Sequence, residues 1–328
     1  MKMSTLIPLL NVLWLLPGLC QGEIYKWTDA HGVTHYGEKQ PEDIKSEEIT
    51  EKLKDTVNFI EFNKNVVIDY YKPRTRSRPA NITINIKLVD YQIDPETRNK
   101  IRSRVKNIYQ AYHRWFGWNA QPSLPVTIKI FGDFTAFEKY QAGEKYAHIT
   151  SRSHYSPRRR EVVMLGTEFT QATLEVLFHE VSHAIIHMEM KTIPKWINEG
   201  LSEVFEKITS DNGHIGVGIN EAWIETVQHK LREGSLRSFR DYLSISNIQW
   251  SNESTRVELS YYMVAWSMMR FLLSSPQGVD TLRQVISACK KQPWWQKGKL
   301  AGLFAESYPG GITKLDYDWR KWINSAKI

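Results

Sequence analysis

Apolar and polar residues alternate along NITINIKL (81–88) and VTIKIFGD (126–133), the period of a half-buried strand, and EVVMLG (161–166) reads as a third strand. Between the first two the period lengthens to that of a helix. Ile101, Val105, Ile108, Tyr112 and Trp115 trace one face of DPETRNKIRSRVKNIYQAYHRWFG. Asp94 is placed to cap this helix, Pro95 suits its first position, Glu96 its first turn, and Gly117 ends it. FTAFEKYQ predicts a short helix. TQATLEVLFHEVSHAIIHMEM (170–190) and PKWINEGLSEVFEKI (194–208) predict two more. From about Glu221 the pattern is mostly helical: EAWIETVQHKLRE, VELSYYMVAWSMMRFLL, VDTLRQVISACKK, then an aromatic C-terminal tail. GHIGVGI (213–219) is glycine-rich but follows no strand, so it predicts a loop or hairpin and not a phosphate cradle. Strands alternate with helices first and helices alone follow. That order predicts an α+β domain, a small mixed sheet ahead of a helical lobe.

Ahead of it, residues 1–22 have the layout of an export signal. Lys2 supplies the charged start, Leu6 to Leu19 a short apolar core, and small residues follow. Asn11 and Pro17 interrupt the core, which is too short to span a bilayer, and no later stretch is long and apolar enough to do so. The expected location is the periplasm or the exterior. Pro17-Gly18-Leu19 is a poor match to the small-residue box that precedes a lipidated cysteine, so lipidation on Cys20 is not expected. Residues 23–42 predict a small β-hairpin domain turning at Asp29-Ala30-His31-Gly32, with His31 and His35 as turn and strand residues. Residues 43–80, charged and ending in KPRTRSRPAN, read as a linker, and 81–328 form the larger domain.

The composition, 41% apolar and 24% charged, excludes wholesale disorder, and 12 Trp with 15 Tyr predict an aromatic-rich core. Only Cys20 and Cys289 are present, so once the signal is removed no disulfide holds the fold. The formal charge is +7, with short basic clusters at Lys72–Arg78 and Arg158–Arg160. In an exported chain these fit solvated loops or attraction to an anionic envelope surface, not nucleic acid.

The chemistry concentrates in FHEVSHAII (178–186). Positions four apart on a helix differ by about 40° and about 6 Å, so His179 and His183 project from one face. Two imidazoles so placed can grip one Zn²⁺, with Glu180 beside them as a base. Burying these groups in an otherwise apolar helix without a cation would be costly. His187 lies about 12 Å along the axis from His179, too far to share the ion. Glu189 would need the chain to bend back, and Ile186 stands where a helix-breaking glycine would be required. Glu199, on the helix after Pro194, is the candidate third ligand. The remaining histidines (113, 148, 154, 214, 229) lack ligand spacing and are read as surface or packing residues.

H-E-x-x-H followed by W-x-N-E-G resembles the gluzincin group of zinc peptidases over roughly residues 80 to 275. His179, Glu180, His183 and Glu199 match its motif, and Trp196, Asn198 and Gly200 its surroundings. The resemblance implies a zincin-like fold and one Zn²⁺ held by His179, His183 and Glu199. It implies peptide-bond hydrolysis by metal-activated water with Glu180 as general base, on a peptide or protein substrate. It places Glu203 where a carboxylate orients a ligand histidine, and EVVML as the sheet edge lining the cleft. It also implies a downstream oxyanion donor, for which Tyr261 and Tyr262 are available and Tyr262, through its spacing to Trp266, is the better match. Separately, the pattern I-Y-K-W-x-D-x-x-G-x-x-H-Y, carried by Ile24, Tyr25, Lys26, Trp27, Asp29, Gly32, His35 and Tyr36, resembles a small domain of unknown function found in proteobacterial envelope proteins. Two alternatives remain open from sequence: a non-catalytic envelope scaffold that keeps the fold, or a cell-wall peptide hydrolase or binder using Trp294 and Trp295 as sugar platforms.

Overall fold

The computed structural model describes residues 25–28, 34–37, 45–48, 66–67, 81–118, 125–142, 152–166, 170–190, 192–211, 214–246, 248–250, 260–291 and 299–326. The chain divides into two compact units, Met1–Val57 and Asn58–Ile328. Residues 1–22, read as an export signal, the basic cluster at Lys72–Arg78 and the Trp294-Trp295 pair lie outside the described residues.

In the first unit strand β1 (Tyr25–Thr28) pairs antiparallel with β2 (Thr34–Gly37), which is the expected hairpin. The other edge of β1 is taken by β3 (Ser46–Glu48), so Trp27 stands between His35 and Ser46 in the register. The stretch read as linker therefore supplies a strand here. It supplies a second one to the larger unit, as described below. Both are too short for residue patterning to reveal, because two or three residues carry no period.

The central sheet of the larger unit contains β5 (Ile84–Val89), β6 (Val126–Phe131), β7 (Ser153–Ser156) and β8 (Glu161–Leu165), in the order β5-β6-β8-β7. β5, β6 and β8 run parallel, and β7 runs antiparallel to β8. Parallel neighbours need a long crossover. Helix α1 (Pro95–Phe116) provides it between β5 and β6. Its ends follow the sequence: the Asp94 carboxylate accepts from the Thr97 N–H at 2.7 Å, and Gly117, at φ +69°, returns its N–H to the His113 carbonyl. Strand alternation sends Ile128, Ile130, Val162 and Met164 to one face, into the main core. Phe131, Val163 and Leu165 face the other way and pack on Phe137 of α2 (Phe134–Ala142).

EVVML was expected to be the edge of this sheet. It is β8, an interior strand, and the edge is β7. The turn at 157–160 folds SHYS back alongside β8: the Arg160 N–H donates to the Ser156 carbonyl at 2.7 Å, with Arg160 in the left-handed region at φ +55°. His154 and the serines around it disguise β7 in a hydropathy reading, since only Tyr155 among its residues is large and apolar.

The helices follow. They are α3 (Gln171–Glu189) and α4 (Lys195–Glu206), then, beyond a hairpin, α5 (Glu221–Arg232), α6 (Phe239–Leu243), α7 (Ser260–Leu272), α8 (Pro276–Lys291), α9 (Lys299–Ser307) and α10 (Gly311–Ser325). The hairpin is β9 (Ile208–Asp211) with β10 (His214–Val217), where GHIGVGI predicted a loop or hairpin, and β4 (Val66–Val67) pairs with β10. The aromatic tail is α9 and α10, whose Phe304, Leu315, Trp319, Trp322 and Ile323 are fully buried. The architecture is α+β, as the element order implied. One continuous core joins the inner sheet face to α1, α3, α4 and the C-terminal helices. Cys289 is buried and unbridged. Among the described residues no helix is long and apolar enough to cross a membrane.

Candidate metal centre

Helix α3 starts where Thr170 caps it, its hydroxyl accepting from the Thr173 N–H at 3.2 Å. Leu174, Leu177, Phe178, Val181, Ile185 and Ile186 bury one side of it. His179, Glu180, His183 and His187 are left half-buried on the other side, the spacing that puts side chains on one helical face. Helix α4 begins just past Pro194 and packs against α3. It is anchored by Trp196, which packs on Phe239 and Phe304, and by Gly200, where a Cβ would meet the Ala265 carbonyl oxygen of α7 at 2.6 Å. Between these two anchors lies Glu199.

The result is a triangle. The Nε2 atoms of His179 and His183 are 3.0 Å apart, and Glu199 Oε2 is 3.4 Å from each. Ligand atoms bound to one tetrahedral Zn²⁺ at about 2.0–2.1 Å stand about 3.3 Å from one another, so the spacing fits such an ion. The donor set fits as well. His179 Nδ1 lies 3.1 Å from Glu206 Oε1 and 3.6 Å from Glu203 Oε1, so it carries hydrogen toward the carboxylates. Ser202 donates its hydroxyl hydrogen to Ser182 Oγ at 2.9 Å and so accepts from His183 Nδ1 at 3.1 Å. With hydrogen on each Nδ1, the neutral rings would turn their Nε2 lone pairs inward, against a carboxylate. Three such groups converging need positive charge between them. The same demand appears in the protonation equilibria. Burial pushes the His179 imidazole down, but its contacts with Glu199 and Glu206 and the nearby charges of Glu203 and Glu180 outweigh burial and hold it well above the usual histidine range. Burial pushes the Glu199 carboxyl up, and the two imidazoles outweigh that and hold it far below the carboxylate range. A divalent cation would satisfy all three donors at once. His179, His183 and Glu199 form one group able to hold a metal, and His179 with Glu203 and Glu206 forms another.

The orienting role expected of Glu203 is shared. Glu206 is the closer partner of His179, while burial, with the charge of Glu206 beside it, drives the Glu203 carboxyl well above its ordinary range despite the opposing His179. Glu206 was missed, although it is three residues past Glu203 and seven past Glu199, a spacing that keeps a helical face. Ser182 and Ser202, both fully buried, were also missed, and no signal in the sequence marks them.

Glu180 Oε2 accepts the Tyr155 N–H of β7 at 2.7 Å, so the edge strand packs against the polar face of α3. The Tyr155 hydroxyl lies 2.9 Å from His187 Nδ1, which accounts for the third histidine of the series outside the triangle. The two tyrosines of α7 separate. Tyr261 is buried between Tyr242 and Trp250 and its hydroxyl receives a long hydrogen bond, 3.4 Å, from Arg237. Tyr262, in ring contact with Trp250, lies within reach of the Glu199 charge: burial, then that charge, raise its phenol above the ordinary range. Of the other histidines, His113 is buried on the Trp118 carbonyl, His154 contacts Gln141 and His229 contacts Glu233, each away from the triangle.

Residues 12–53 match the model of a domain of unknown function, DUF4124, which covers the stretch containing the I-Y-K-W pattern. No curated protein matches the chain. Residues 174–294 match a second model, described as a protein of unknown function, DUF1570, and this match spans the triangle, Glu180, Glu203, Glu206 and Tyr262.

Proposed function

We propose that this chain is an exported zinc metallopeptidase of gluzincin type that hydrolyses peptide bonds in the periplasm or outside the cell. The observation that carries the reading is the convergence of His179 Nε2, His183 Nε2 and Glu199 Oε2 within 3.4 Å, next to a glutamate on the same helical face. A zinc ion held there would supply Lewis-acid polarisation of a carbonyl and acidification of water. The chain's own groups do the rest. Glu180 is fixed by one carboxylate oxygen to Tyr155 of β7, leaving Oε1 to take a proton from the attacking water and pass it to the leaving amine. Tyr262, kept protonated at neutral pH by burial and by the Glu199 charge, donates its phenolic hydrogen to the oxygen that gains charge as the carbonyl is attacked. Among the described residues β7 is the outer strand of the sheet, on the side where an extended peptide would pair beside the Tyr155 N–H that Glu180 holds. The export signal and the basic turn at Arg158–Arg160 fit work at an anionic envelope surface.

The test is metal analysis of the purified mature protein with a peptide-library digest, beside Glu180→Gln and Glu199→Ala. One zinc per chain is expected in the wild type. Glu180→Gln should keep it and lose about 100- to 10,000-fold in turnover, and Glu199→Ala should not retain it. A wild type that takes up no zinc would end the proposal. A zinc-loaded wild type without turnover on any peptide would leave a scaffold that kept its metal.

A further inference from the structure

We infer that Ser202 and Ser182 are positioning residues that set the tautomer of His183, through a relay of hydroxyls running from the ring into the aromatic core. The inference rests on the metal-site reading for its consequence but not for its geometry. Ser202 Oγ donates to Ser182 Oγ at 2.9 Å, and Ser182 Oγ is 2.7 Å from the Tyr112 hydroxyl. A serine hydroxyl has one hydrogen. Because that of Ser202 is committed to Ser182, its lone pairs are what His183 Nδ1 meets at 3.1 Å. The neutral ring must then carry its hydrogen on Nδ1 and present a bare Nε2 to the triangle. The far end of the relay is rigid: Tyr112 is fully buried, stacked on Trp118 at 4.8 Å and against Phe205 at 4.8 Å. Three helices, α1, α3 and α4, each contribute one hydroxyl. His179 is oriented differently, by the carboxylates of Glu206 and Glu203. The two ligand histidines therefore have unlike partners, one anionic and one uncharged, and the uncharged one works through hydrogen direction alone.

This reasoning makes the residue that does not touch the histidine decisive. In Ser182→Ala, the Ser202 hydrogen loses its acceptor and can turn to His183 Nδ1, moving the ring hydrogen to Nε2 and blocking the lone pair. Ser202→Ala leaves Nδ1–H buried without a partner. The test uses the full chain in three forms, wild type, Ser182→Ala and Ser202→Ala, with two readouts. The first is the His183 tautomer, read from ¹⁵N shifts and two-bond couplings of the metal-free protein in alkaline buffer. The second is zinc affinity by competition with a chromophoric chelator, with thermal melts of the metal-free forms to confirm folding. The wild type is expected as the Nδ1–H tautomer and Ser182→Ala as a mixture or reversal. Both variants should lose about 10- to 100-fold in zinc affinity, the usual effect of removing a group that orients a metal-ligating histidine. A folded Ser182→Ala with an unchanged tautomer and an affinity within about twofold of wild type overturns the inference, as does an Nε2–H wild type. If one variant does not fold, the other and the wild-type tautomer still decide. A wild type that shows the Nδ1–H tautomer but takes up no zinc would sink the metallopeptidase reading and leave the relay standing.

Discussion

Gly200→Ala adds one methyl group where two helices that frame the site cross. A Cβ there would lie 2.6 Å from the Ala265 carbonyl oxygen, 2.9 Å from its carbon and 2.7 Å from Met269 Cγ. Met269 is fully buried and cannot swing into water, and the carbonyl belongs to α7 and cannot move without it. Ordinary van der Waals contact begins near 3.4 Å, so α4 must retreat from α7 by about 0.8 Å. Overpacking of this kind costs about 1–3 kcal/mol. Alanine in a helix returns about 0.5–1 kcal/mol relative to glycine. The net expectation is a loss of about 1–2 kcal/mol, read as a lower guanidinium midpoint with the slope unchanged. The second consequence is local. Glu199 precedes Gly200 and moves with the backbone, and a shift near 0.8 Å exceeds the roughly 0.2 Å tolerance of metal–ligand distances. Zinc affinity, measured by chelator competition, should fall about tenfold or more even in molecules that remain folded. A variant as stable as the wild type, or more so, with unchanged zinc affinity would show that only helix propensity was altered, and that α4 and α7 do not meet at this point.

The remaining expectations concern single side chains. Tyr262→Phe should lower kcat by about 100- to 1,000-fold with zinc content unchanged, while Tyr261→Phe, which loses a long hydrogen bond from Arg237, should leave kcat within a few fold; steady-state kinetics on one peptide decides, and equal effects would refute the division of roles. Glu206→Gln should weaken zinc binding about tenfold by removing the nearer anionic partner of His179, and metal competition showing no change there, but a loss in Glu203→Gln, would return the orienting role to Glu203 alone. Away from the site, burial raises the Glu161 carboxyl, but the Tyr140 hydroxyl and the Lys87 ammonium outweigh it and hold the folded-state pKa below the ordinary value. Its contribution to stability is therefore present above the unfolded pKa of about 4.3 and is lost as pH falls from there toward the lower folded value. Urea midpoints across that range should fall less steeply in Glu161→Gln than in the wild type, and parallel curves would refute the assignment.

What was legible in the sequence divides along physical lines. Helix α1 could be read to the residue because its cap, its proline and its terminal glycine act through backbone geometry that a few neighbours determine. The two histidines and Glu180 could be read because i, i+4 spacing is a property of the helix itself. Glu199 came from setting aside His187 and Glu189 and from its place on the next helix, and a resemblance then matched it. The geometry that realises it is tertiary: Trp196 in an aromatic pocket from α6 and α9, and Gly200 pressed on α7, set the height of the glutamate. The edge strand could not be read. β7 is short and largely polar, and it is a strand because β8 lies beside it, so periodicity does not show it and the resemblance placed the edge at its apolar neighbour.

The partners of the two candidate ligand histidines were hardest to see, for a reason that bears on the proposed function. A ring nitrogen needs one acceptor, and that acceptor can be a carboxylate, a carbonyl or a hydroxyl from any element that passes by. Glu206 satisfies the need for His179 and a serine satisfies it for His183, and neither side chain is unusual on a helix. The inward-facing atoms obey a narrower rule, since a tetrahedral ion admits few donor types at one distance. The sequence therefore carries in its motif the half of the site that would face a metal. The half that turns the rings is a product of packing, and only mutation of residues such as Ser182, which touch neither ion nor ring, can show how much of the affinity resides there.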